Sequence, residues 1–161
     1  MNGVSVDSNG PILTSIAASA VVWSAANRAL FVPVRIPFPV TVRQMMANIG
    51  AAGTATIDVG IYTTDGVRLV SAGSTTTTAG IMLFNVTDTP VGSGTYYLAM
   101  SASTITTLTI TGKALGTGQR SELYGLAQME TAHPLPATAV LALTTHSHLP
   151  QITAFYRDGV V

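Results

Sequence analysis

The sequence predicts an all-β protein: a single-domain antiparallel β-sandwich of jelly-roll type, with an N-terminal arm over residues 1–20, a β-domain over 21–161 and one long loop excursion. Three observations predict it. Apolar residues alternate with small or polar ones along most of the chain, helical spacing is almost absent, and Gly, Pro, Asn and Asp separate the alternating runs at short intervals. A length of 161 residues in one compositional regime fits one domain, which at that size buries about 68–70% of the surface of its unfolded chain.

The elements follow in order. The arm contains "ILTSIAASAVVW", which is interrupted by Ser and Thr, too short to span a bilayer and not preceded by Lys or Arg, so it reads as neither signal peptide nor transmembrane helix. In "NRALFVPVRIPFPVTVRQMMANIG", Leu30, Val32, Val34 and Ile36 share one parity and Val40 and Val42 continue it, until Met45 and Met46 break it. Prolines at 33, 37 and 39 make this run an edge strand, a bend, or two strands joined at "PFP". "TATIDVGIYTTDGVRLVSAGSTTTTAG" reads as a hairpin: Ile57, Val59 and Ile61 on one face, Asp58, Gly60 and Tyr62 on the other, and a tight turn at Asp65 and Gly66. Asp58 is expected on the solvent face, across from Arg68. The Thr run that follows suits a polar loop or exposed edge. "IMLFNV", "TYYLAMS", "TITTLTITG", "AVLALTT" and "QITAFYR" complete a set of roughly eight to ten strands. The consecutive Tyr96 and Tyr97 must face opposite sides of theirs. Residues 113–139 form the excursion, with a short helix weakly signalled near "SELYGLAQM".

Composition narrows the function. Charged residues make up 9% of the chain, against about 25% in ordinary globular proteins. Seven basic and seven acidic residues balance without any Lys/Arg cluster, so the footprint for nucleic acid or an anionic membrane is missing. The chain has no cysteine, hence no disulfide framework and no thiolate metal site. The sequon at Asn85 to Thr87 matters only on a secretory route that nothing else marks.

Candidate chemistry is sparse. His146 and His148 share a strand face and could begin a metal site. The pattern is similar to the His-x-His of cupins, but the glutamate expected a few residues later is missing, and a polar loop before Pro150 explains the pair as well. The acids are scattered singly, and Asp65 and Asp88 stand in turn-like contexts. There is no G-x-S-x-G elbow and no phosphate loop. The aromatics could offer a sugar-stacking platform, although at strand spacing they read first as core. No cofactor is expected and no enzyme activity is indicated.

The stretch "ANRALFVPVRIPFPVTVRQMMANIGAAGTATIDVGIYTTDGVRLVSAGSTTTTAG", with "FNVTDTPVGSGTYYLAMS" and "PLPATA", resembles tailed-bacteriophage virion structural proteins over roughly residues 21–155. The resemblance carries over the turn at Asp65 and Gly66, the strand from Tyr96 to Ala99 and the loop from Pro134 to Ala137, and it implies no catalytic residues. It implies a non-enzymatic virion component, first a capsid decoration or cement protein, with a tail or fibre module as the alternative. A carbohydrate-binding module for host attachment is the reading from another class. The implied partners are the major capsid protein or other virion proteins, a homo-oligomer of trimeric form, and a glycan in the third reading; the implied location is the virion, assembled in the host cytoplasm. Ile12, Leu13, Ile16 and Val21 of the arm region, with Pro134, Leu135 and Pro136 of the excursion, are the expected contacts to neighbouring subunits, since sparse charge leaves apolar surface to be covered.

Overall fold

Period-two alternation here becomes two antiparallel sheets packed face to face. The computed structural model describes residues 5–6, 19–115, 125–144 and 148–158, and its strands are numbered β1 to β14 along the chain. One sheet runs β1 (Ser5–Val6), β14 (Ile152–Asp158), β4 (Val40–Ala51), β10 (Thr109–Ala114), β13 (His148–Pro150), with β2 (Ser19–Val22) beside β10 and β8 (Gly80–Val91) beside β4. The other runs β12 (Ala142–Leu143), β11 (Ala127–Met129), β3 (Ala29–Ile36), β9 (Gly94–Ala102), β5 (Thr56–Thr63), β6 (Arg68–Ser71), with β7 (Thr75–Thr76) beside β5. The β-sandwich expected from the alternation is therefore present. The described residues hold fourteen strands rather than eight to ten, because five of them are only two or three residues long.

"PFP" joins two strands of different sheets, β3 and β4, so its prolines mark the passage from one layer to the other. β3 is not an edge: it pairs with β9 along its length and with β11 over Ala29 to Phe31. Pro33 lies beyond the end of β11, where its missing N–H breaks no ladder there. The parity break at Met45 has a local cause. β4 carries a β-bulge at Arg43 against β14, where Tyr156 opposes Val42 while Phe155 opposes Gln44; the register with β8 shifts at the same place, there with the extra residues on β8. One extra residue reverses the facing of everything after it. Val40 and Val42 point inward before the bulge, and Met45, Ala47 and Ile49 after it.

The main core lies between the sheets. Trp23, Val32, Met45, Ile57, Val59, Ile61, Leu98, Met100 and Ile110 are all almost fully buried in it. A second apolar cluster lies on the far side of the β3–β9–β5 sheet, where Ala29, Phe31, Tyr62 and Ala99 are covered by Ala132, Leu135 and Ala139. Residues 131–139 thus fold back across their own sheet as a strap. The weakly signalled helix is corrected in part: Ala127–Met129 is strand β11, paired with β3, and residues 121–124 lie outside the described set. "TITTLTITG" enters a strand only at Thr109, after a loop in which Thr107 takes a φ of 61°.

Candidate functional site

β5 is buried on both faces, and this decides what its polar residues do. Ile57, Val59 and Ile61 enter the main core, while Asp58, Gly60 and Tyr62 face the strap. Asp58, expected on the solvent side opposite Arg68, is instead 0% exposed, opposes Ser101 on β9, and leaves Tyr62 as the residue opposite Arg68. Its carboxylate accepts the Ser71 hydroxyl at 3.0 Å from both oxygens and the Leu135 backbone N–H at 3.1 Å. A buried carboxylate needs such donors, because leaving either side unpaired is costly.

His133 completes the cluster. Its Nδ1 lies 3.0 Å from Ser101 Oγ, and its Nε2 lies 2.9 Å from Thr56 Oγ1 and 3.1 Å from Ser74 Oγ. Burial holds its pKa below the usual histidine range, opposed by the Asp58 charge and a hydrogen bond to the Ser101 backbone. The neutral ring offers one donor and one acceptor, and hydroxyls can serve either. Ser, His and Asp are therefore together, but not in the order of a hydrolase: both ring nitrogens bond to hydroxyls, while the carboxylate bonds to Ser71 and to the strap backbone.

The remaining fastenings are of the same kind. Tyr62 donates its hydroxyl to the Pro136 carbonyl at 2.6 Å, and burial raises its pKa well above the usual tyrosine range. The Arg68 guanidinium donates to the Leu135 carbonyl, and the Arg68 backbone N–H to the Ala137 carbonyl at 3.0 Å. Ala132 N–H reaches the Asn27 carbonyl at 2.6 Å. Phe31 stacks edge-on against Tyr62 at 5.2 Å and Tyr97 at 6.3 Å, beneath the strap. Gly60 leaves the space for Leu135: a Cβ there would lie 3.0 Å from Leu135 Cδ1 and 2.4 Å from the Val70 carbonyl oxygen. Leu135, 1% exposed, is the apolar plug, and its burial contributes about 1.5–3 kcal/mol.

The expected site residues fall as follows. Asp65 and Gly66 form the tight turn, with Gly66 at φ 80°, its N–H on the Thr63 carbonyl at 3.1 Å and its carbonyl accepting Ala139 N–H at 2.8 Å. Leu135 is interior to its own chain and so is not a contact for a neighbouring subunit; Pro134 is exposed and Pro136 half-buried. Val21 points into the main core from β2, again not toward a neighbour. Ile12, Leu13, Ile16 and His146 lie outside the described residues. His148 begins β13 opposite Ala114, and its side chain lies outside the description. Among the described residues no three His, Cys, Asp or Glu side chains converge as metal ligands.

Sequence reasoning missed His133, Ser101, Thr56 and Ser71 as members of one cluster. The available signal was the pairing of polar or minimal residues, Asp58 and Gly60, with an apolar series on the other face of one strand. On a strand facing water such a pair is unremarkable, and only the strap gives it meaning. Comparison with protein-family models, curated proteins and solved structures finds no match to this chain. Fold and cluster define a two-sheet antiparallel β-sandwich with one outer face closed by an internal strap.

Proposed function

We propose that this chain is a non-enzymatic structural component of a tailed-bacteriophage virion, a decoration or cement protein that docks on the capsid. The observation that carries the reading is the surface. Val22, Phe38, Val67, Ile81, Leu83, Ile105, Val140 and Leu143 are 41–77% exposed, in a chain of which only 9% of residues are charged. Ile81 and Leu83 stand side by side on one face of β8, and an exposed apolar patch on so weakly charged a surface supports a protein–protein contact. The cluster that most resembles a catalytic centre supports the same reading, since its hydrogen bonds are spent on holding the strap. The motif resemblance supplies the setting.

Copy number tests it. Quantitative mass spectrometry of purified virions encoding this chain is expected to find it at a level comparable with the major capsid protein. A level that is a small fraction of it moves the protein to the tail or fibre, and absence from the particles overturns the proposal.

A further inference from the structure

β8 is the one long strand whose outer edge is left open among the described residues. It spans Gly80–Val91 and pairs with β4 alone. Such an edge presents a row of unpaired N–H and C=O groups, and natural proteins blunt it with lysine, proline, a bulge or a covering segment. The far half of β8 has those devices: Asp88, tied to Arg43 at 3.0 Å, Pro90, and the register shift between Asn85 and Thr89. The near half carries no lysine, proline or bulge, and among the described residues no strand pairs with its outer edge. Residues 80–86 read "GIMLFNV", without charge or proline, and the outward side chains Ile81 and Leu83 are 66% and 57% exposed beside the half-buried Met46 of β4.

We propose that this half of β8 is the contact to a second copy of the chain, the two β8 strands pairing antiparallel about a two-fold axis at Leu83. The segment is self-complementary in that arrangement. Opposed residues in an antiparallel pair share a face, so the axis sets Leu83 against Leu83, Ile81 against Asn85 and Met82 against Phe84 of the other copy. Seven residues per strand gain a cross-strand neighbour, alternate ones through N–H and C=O groups that point away from β4, and the exposed Leu83 side chains meet. No like charges meet, because Asp88 falls beyond the pairing and the chain is neutral overall. An isologous contact closes at two subunits, which replaces the trimer that the motif resemblance implies. The inference stands independently of the virion reading.

The absence of cysteine makes the test clean. Sedimentation equilibrium is expected to give twice the 16.6 kDa chain mass, and the double variant Ile81→Lys/Leu83→Lys to give a monomer that still unfolds cooperatively, both side chains being solvent-exposed within the chain. Leu83→Cys should oxidise to a covalent dimer, since directly opposed Cα atoms about 4.5–5.5 Å apart are within disulfide reach. Val140→Cys, 75% exposed just past the strap, should not. A monomeric or trimeric wild type, a double variant that still associates, or equal cross-linking at positions 83 and 140 overturns the proposal. If the double variant does not fold, the comparison of the two cysteine variants decides alone.

Discussion

Replacing Gly66 with alanine tests whether the strap rests on the hairpin turn, and Gly73→Ala supplies its control. Both glycines have a positive φ, 80° and 75°, and an L-residue there costs about 1–2 kcal/mol. Their surroundings differ. A Cβ at Gly73 meets nothing within 4 Å, whereas one at Gly66 would lie 2.2 Å from the Ala139 carbonyl oxygen. That oxygen belongs to backbone and cannot swing away, so the strap end must lift. Lifting it breaks the 2.8 Å bond from Ala139 N–H to the Gly66 carbonyl and strains the neighbouring Val67–Thr138 bridge, at about 0.5–1.5 kcal/mol for each hydrogen bond lost. The control should therefore lose about 1–2 kcal/mol and Gly66→Ala about 3 kcal/mol or more. Urea unfolding followed by the fluorescence of Trp23 measures both, and at this chain length each kcal/mol lowers the thermal midpoint by about 2–4 °C. Equal losses at the two positions would refute the close approach of the strap, leaving Gly66 as an ordinary turn glycine.

Asp58→Ala should destabilise the fold by about 2–4 kcal/mol, because it strands the buried Leu135 N–H and the Ser71 hydroxyl; a loss under about 0.5 kcal/mol in urea melts would remove Asp58 from the strap's support. His133 makes stability fall in mild acid. Its folded pKa lies below the ordinary 6.5, so as pH drops below that value the unfolded chain takes up a proton the folded chain refuses, and the loss continues down to the folded pKa. Asp58, Tyr62 and Arg68 lie under the strap, with Asp65 in the turn that holds its end and Glu130, paired with Arg28, just before its start. His133→Gln should flatten this part of the pH–stability curve, and an unchanged slope would show that His133 does not carry it.

The layer structure was legible because alternation is a local property. Val40 and Val42, and the series Ile57, Val59, Ile61, reported their inward face without any knowledge of partners; "PFP" allowed an edge strand, a bend or a join of two strands, and only the sheet pairing makes it the passage between layers. The parity break at Met45 was visible too; its cause, one extra residue at Arg43, needed the neighbouring strands. The strap was not legible. Asp58 looks the same in sequence whether water or a distant segment lies over it, and His133 is 77 residues from Thr56 along the chain. The same blindness made Leu135 an intersubunit candidate: apolar residues in a long excursion must be covered, but sequence does not say by which chain.

Residue-resolved amide hydrogen exchange reads whether the strap is held as firmly as the sheet beneath it. The N–H groups of Ala132, Leu135 and Ala139 bond to Asn27, Asp58 and Gly66 respectively, so they should exchange only through global unfolding, with protection matching the β5 and β9 amides. Exchange of these three amides at loop rates, while β5 and β9 stay protected, would contradict the strap and with it the reading of the Asp58–His133 cluster as its fastening.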